Sequence, residues 1–128
     1  MSYATIIIAI ALLQYLHFTM RTGLKRNPLG VLAPKTTGSE DWERIFRVQQ
    51  NTLEQLVVFV PAVIGFALFV SPLWVLLPGV LFVIGRQLYS MAYLSEPEKR
   101  GPGMALTFFS NLALVLGALV GAGAELLP

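Results

Sequence analysis

Cysteine is absent from the sequence, which excludes a disulfide framework and a thiolate metal site. Any thiol chemistry must therefore use a thiol that a substrate carries in. Charge is also scarce: 12% of the residues are Asp, Glu, Lys or Arg, about half of the roughly 25% usual in soluble domains. A chain of 128 residues has little interior volume, so most of its apolar side chains must face lipid or a partner subunit. The single histidine, His17, has no companion ligands, and metal sites need several converging donors. It is read as a packing or interfacial residue, and no metal is expected. The net charge of +2 is small, and where the charges sit tells more than their sum; no nucleic-acid partner is expected.

Long apolar runs are what the sequence has in quantity. Hydrophobic residues make up 55% of the chain and the mean hydropathy is +0.69. Four stretches, over about 3–20, 52–70, 73–94 and 104–127, approach the roughly 20 residues that span a bilayer core. The predicted fold is all-α: an integral membrane four-helix bundle in one domain over residues 1–128. Runs such as LWVLLPGVLFVIG do not alternate as barrel strands must. The first stretch has no basic n-region and no clear cleavage site before Arg21, so it is read as a retained helix rather than a signal peptide.

The second helix is expected to begin before the membrane, near residue 40. Ser39 is a plausible N-cap, and Glu40, Asp41 and Glu43 suit the positive end of its dipole. Ser71-Pro72 reads as a tight turn, and SEPEKRGPG joins helices three and four. Pro61 and Pro78 fall inside helices, where they are expected to kink them without breaking them. All nine basic residues, Arg21 to Arg100, fall at the first loop, the third loop and the adjoining helix ends. The positive-inside rule then makes that side cytoplasmic, with both termini outside. Trp42 and Trp74 fit interface anchors, and Ser110 and Asn111 fit interhelical hydrogen bonds.

Polar residues at membrane depth need a reason. Arg44, Arg47, Asn51 and Glu54 recur at steps of three, four and three, which places them on one helix face. Arg86, Tyr89 and Tyr93 do the same on helix three, and Gly85 allows a close helix approach there. Each residue alone fits a snorkelling arginine or an aromatic belt. Together they describe a site for a small anionic molecule: Arg grips carboxylate, Asn and Gln fix amides, and Glu54 can hold an ammonium.

The segment ERIFRVQQNTLEQ carries R-x-x-x-N-x-x-E as Arg47, Asn51 and Glu54. GRQLYSMAYLSEPEKRGPG carries R-x-x-Y-x-x-x-Y with an arginine seven positions later. With Thr36 to Gly38 and the four-helix layout, these features resemble the MAPEG proteins, the microsomal glutathione transferases and their leukotriene-forming relatives. The resemblance covers nearly the whole chain. It departs at Gln55, where an aromatic residue is common, and at Val57, where a proline is common.

The resemblance implies a homotrimer with active sites between subunits and glutathione as co-substrate. Arg26, Arg47, Gln49, Asn51, Glu54, Arg86, Tyr89 and Tyr93 match glutathione-holding positions. Arg100 matches the arginine credited with activating the thiol. The implied function is conjugation of glutathione to a hydrophobic electrophile arriving from membrane lipid, with lipid hydroperoxide reduction as a further activity. The alternative is a non-catalytic lipid-binding or scaffold member of the family. A small multidrug transporter would want a carboxylate deep in helix one, and none is there. The lack of organelle signals suggests a bacterial inner membrane.

Overall fold

The computed structural model describes residues 1–128. It is all-helical: α1 (Ser2–Leu24), α2 (Glu40–Phe69), α3 (Leu76–Ser95), a 3₁₀ turn (Pro97–Arg100) and α4 (Gly101–Ala124). α1, α2 and the 3₁₀ turn with α4 are long and apolar enough to cross a membrane, as expected of an integral membrane protein. α3 falls short of that measure, because Arg86, Gln87, Tyr89 and Ser90 interrupt its second half.

Side-chain contacts fix the helix directions. Ile7, Gln14 and Arg21 meet Gly79, Val83 and Ser90 in turn, so α1 and α3 run parallel. Gln55 and Phe69 of α2 meet Asn111 and Gly121 of α4, so these two also run parallel. Asn51 and Phe59 of α2 meet Arg86 and Phe82 of α3, so that pair is antiparallel. The result is an up-down-up-down bundle with the first loop and the 3₁₀ turn at one end. α4 packs on α2 and α3, whereas α1 touches α2 and α3 only.

α2 begins as its sequence demands. Ser39 Oγ accepts from the Trp42 amide at 3.3 Å, and three acidic residues fill the first turn. α3 begins at Leu76, three residues later than the apolar run suggests. Ser71 Oγ accepts from the amides of Leu73 and Trp74 at 3.2 and 3.0 Å, which holds this stretch in a turn. Pro78 therefore sits in the first turn of α3, where a missing N–H leaves no intrahelical bond unmade, rather than inside the helix. α4 starts at Gly101 rather than 104, because the 3₁₀ turn feeds directly into it. α1 runs on to Leu24.

The core lies where α1, α2 and α3 meet. Ala4, Ile7 and Ala11 of α1 pack on Phe59, Val63 and Phe82, with the Phe59 and Phe82 rings stacked 3.9 Å apart. Only 29 of 128 residues are buried, so the isolated chain leaves most of its Leu, Val and Ile side chains outside, as a lipid-facing surface allows. Gly85 and Gly103 bring α3 and α4 together: a Cβ on Gly103 would lie 2.5 Å from the Tyr89 amide nitrogen. Gly117 and Gly121 accommodate Phe66 and the Phe69 carbonyl of α2 in the same way.

Candidate functional site

Arg86 is the anchor of the site. Its side chain is fully buried, in the half of α3 near the first loop. Nη2 donates to Asn51 Oδ1 at 2.7 Å. Nη1 reaches Thr107 Oγ1 at 3.5 Å and Met104 Sδ at 3.8 Å, both on α4. The guanidinium also lies 4.4 Å from the centroid of the Tyr89 ring, a cation–π distance. No carboxylate touches Arg86. A buried charge this poorly paired is expensive, and its cost is met through a neighbour. Asn51 Nδ2 donates onward to Glu54 Oε2 at 3.4 Å.

Glu54 in turn accepts from Arg47 Nη1 at 3.3 Å. The four residues form one relay across two helices: Arg86 to Asn51 to Glu54 to Arg47. Its inner end is enclosed, while Arg47 and Glu54 are about half exposed, at 49% and 54%. The helix period accounts for the α2 members, which lie four and three residues apart on one face. Tyr89 and Tyr93 continue the α3 side, with ring centroids 5.4 Å apart. Beside the relay, a cavity of about 450 Å³ is lined by Thr36, Glu40, Glu43, Arg44, Phe46, Arg47, Tyr93 and Pro97.

Two guanidiniums and one carboxylate leave the relay with one positive charge in excess. Arg44 adds nothing to that surplus, because Glu40 pairs with it at 2.6 Å, and Glu43 on the cavity wall offsets the surplus. Such a site suits a zwitterionic ligand, with a carboxylate for Arg47, an ammonium for Glu54 and a polar group for the Tyr93 hydroxyl. Arg47 and Glu54 can reach a ligand directly, whereas Arg86 cannot. The structure fits Arg86 to holding Asn51 and Tyr89 in place.

Six of the nine residues expected to form the site are thus together: Arg47, Asn51, Glu54, Arg86, Tyr89 and Tyr93. Three stand apart. Gln49 faces α1, where its Nε2 donates to Thr19 Oγ1 at 3.3 Å. Arg26 donates to the carbonyls of Val31 and Lys35 at 3.2 and 2.7 Å and lies 4.4 Å over the Trp42 ring. Arg100 is exposed and donates to the Pro97 carbonyl of its own turn at 2.8 Å.

Trp42 is not the interface anchor its position suggests. It is fully buried, and its Nε1 donates to the Thr22 carbonyl near the end of α1 at 3.0 Å. That bond gives one of the orphan carbonyls of the α1 terminus a partner. Asn111 does bond across helices, but Ser110 bonds back to Leu106 of its own helix. Sequence reasoning missed Thr107 and Met104 as partners of Arg86, since neither stands out within an apolar run. It also missed the bond from Arg21 to Ser90 Oγ at 2.9 Å.

A model of the MAPEG family matches residues 2–120 of the chain. The chain is similar to an uncharacterized protein of Synechocystis sp., 42% identical over 118 residues, covering 92% of this chain and 86% of that protein. It is also similar to microsomal glutathione S-transferase 2 of Homo sapiens, 31% identical over 107 residues, covering 83% of this chain and 73% of the relative. The mouse protein of that name is 29% identical over 127 residues, covering 97% and 86%.

Proposed function

The chain belongs to the MAPEG family, and from that premise we propose that it is a membrane-bound glutathione transferase. It joins the glutathione thiol to hydrophobic electrophiles that enter from the lipid, and reduction of lipid hydroperoxides is its second activity. The observation that carries this reading is the relay. A half-exposed Arg47 beside a half-exposed Glu54, with Tyr93 on the wall of a polar cavity that holds charges of both signs, matches a tripeptide with two carboxylates and one ammonium.

All four helices span the bilayer in this reading, and the site faces the cytoplasm, where the basic residues gather. Arg47, Asn51, Glu54 and Tyr93 hold glutathione, and Arg86 and Tyr89 position them. The protein acts as a homotrimer. The placement of Gln49 and Arg26 on the α1 side supports a site shared between subunits, to which a neighbouring copy brings these two residues.

A free thiol has a pKa near 8.5, and only its thiolate is a strong nucleophile. Arg100 is the residue proposed to stabilise that thiolate. Its guanidinium is exposed on a short turn and bonded to one carbonyl, so it is free to swing onto a bound thiol. A lowering of about two pKa units, worth roughly 2.7 kcal/mol, would make thiolate the major form near neutral pH. The same exposure is the one feature that favours a non-catalytic, lipid-binding member, because nothing within the single chain holds Arg100 against the relay.

Calorimetry of glutathione binding to the detergent-purified protein, with thiolate absorbance followed in the ultraviolet, separates these readings. Saturable binding with a thiolate signal that vanishes in Arg100→Ala is expected. Binding without thiolate in the wild type would favour the scaffold reading, and no binding would refute both.

A further inference from the structure

One polar pair stands on the otherwise apolar seam between α2 and α4. Gln55, the residue after Glu54, meets Asn111 of α4. Asn111 Nδ2 donates to both the main-chain oxygen and the Oε1 of Gln55 at 3.3 Å. Asn111 is only 5% exposed. Two amides at membrane depth are costly unless fully paired, and these are not. Asn111 Oδ1 is buried without a partner. Gln55 Nε2 makes no hydrogen bond and, unlike Asn111 Oδ1, it is not enclosed.

The pairing sets the amide's orientation: Asn111 holds the oxygen end, so the donor end of Gln55 is the free one. The same two residues line a cavity of about 200 Å³ with Val58, Phe108, Leu112 and Val115. An apolar cleft with a fixed amide at its wall, one residue beyond Glu54, is a place for a hydrophobic molecule carrying one hydrogen-bond acceptor.

We propose that Gln55 determines electrophile specificity, selecting hydrophobic α,β-unsaturated carbonyl compounds by donating Nε2–H to their carbonyl oxygen. The inference rests on the glutathione-transferase reading above. In the reaction the thiolate sulfur bonds to the β-carbon, and the carbon–carbon π pair shifts to leave negative charge on the carbonyl oxygen. The enolate then takes a proton from water at its α-carbon, replacing the proton that the thiol released. A donor aimed at the oxygen strengthens as that charge develops, so it lowers the barrier more than it tightens binding. Asn111 acts through Gln55 and is a positioning residue.

The test compares two substrates of the full-length protein in lipid nanodiscs with glutathione: 2-nonenal, which passes through an enolate, and benzyl chloride, which loses chloride and forms no oxyanion. Gln55→Leu is expected to lower kcat/KM for 2-nonenal by about tenfold or more. Benzyl chloride turnover and glutathione affinity should change less than about twofold. Asn111→Leu leaves Gln55 in place but unfixed, and supplies the readout if the first variant does not assemble. A smaller loss, again confined to 2-nonenal, is expected of it. Equal losses on both substrates, or none on either, overturn the role of Gln55. Wild-type activity on benzyl chloride alone overturns the substrate class while leaving the transferase reading intact. Glutathione transfer to neither substrate overturns the transferase reading and this inference with it.

Discussion

Replacing Arg86 by methionine separates a residue that holds the ligand from one that holds the site. The guanidinium is fully buried, and its shortest bond is the 2.7 Å contact to Asn51 Oδ1. Losing a charge-assisted hydrogen bond of this kind costs about 1.5–3 kcal/mol. At roughly 1.4 kcal/mol per decade, that range corresponds to about 10- to 150-fold in glutathione Kd if Asn51 can no longer hold its pose. The lower end is expected, because methionine also relieves the desolvation of an unpaired charge. Direct loss of a ligand-gripping arginine would cost more, about 2–5 kcal/mol.

The decisive assay is a double-mutant cycle by calorimetry, using Arg86→Met, Asn51→Leu and the pair. If Arg86 acts only through Asn51, Arg86→Met adds almost nothing once Asn51→Leu is present, and the coupling energy equals the effect of Arg86→Met alone. Such non-additivity is the mark of residues in one network. Losses that simply add would show that Arg86 reaches glutathione by itself and would refute its role through Asn51.

Two further outcomes follow from the packing. Gly103→Ala places a methyl group 2.5 Å from the Tyr89 nitrogen and 2.9 Å from the Gly85 carbonyl, both main-chain atoms that cannot swing aside. Overpacking of this kind costs about 1–3 kcal/mol, so thermal unfolding in detergent should shift down together with glutathione affinity. An unchanged melting temperature would contradict the tight α3·α4 crossing. Trp42→Phe removes the Nε1 bond to Thr22, worth about 1 kcal/mol, and should speed amide exchange in the first loop while sparing α3. Unaltered exchange there would mean that Trp42 does not tie the loop to α1.

Much of this arrangement was legible in the sequence because it lies within single helices. A period of 3.6 residues puts Arg47, Asn51 and Glu54 on one face, and in the structure hydrogen bonds link them there. Ser39 with its acidic turn marked the start of α2 for reasons local to four residues. What could not be read is how one helix sits against another. Which face of α3 meets Asn51 depends on close contacts such as Gly79 with Ile7 and Gly85 with Thr107. Those contacts have no periodic signature. Trp42 shows the same limit: a tryptophan near a membrane edge reads as a belt residue, but the free carbonyl at Thr22 that receives its N–H is visible only once α1 and α2 are packed.

Similarity of sequence also transfers residue types more safely than it transfers contacts. Arg86 occupies a position expected to touch glutathione, yet its side chain is closed in by Asn51, Tyr89, Met104 and Thr107. An arginine can serve a ligand by shaping the asparagine that meets it, and the pattern R-x-x-Y is the same either way. Gln49 raises the converse point. It lies two residues beyond Arg47, about 200° around α2 at 100° per residue, and it already bonds to Thr19 of α1. No choice of rotamer brings both side chains of one copy onto one small ligand. In the proposed trimer the two therefore meet glutathione from different subunits, and the geometry of one helix is a reason to propose a site shared between copies.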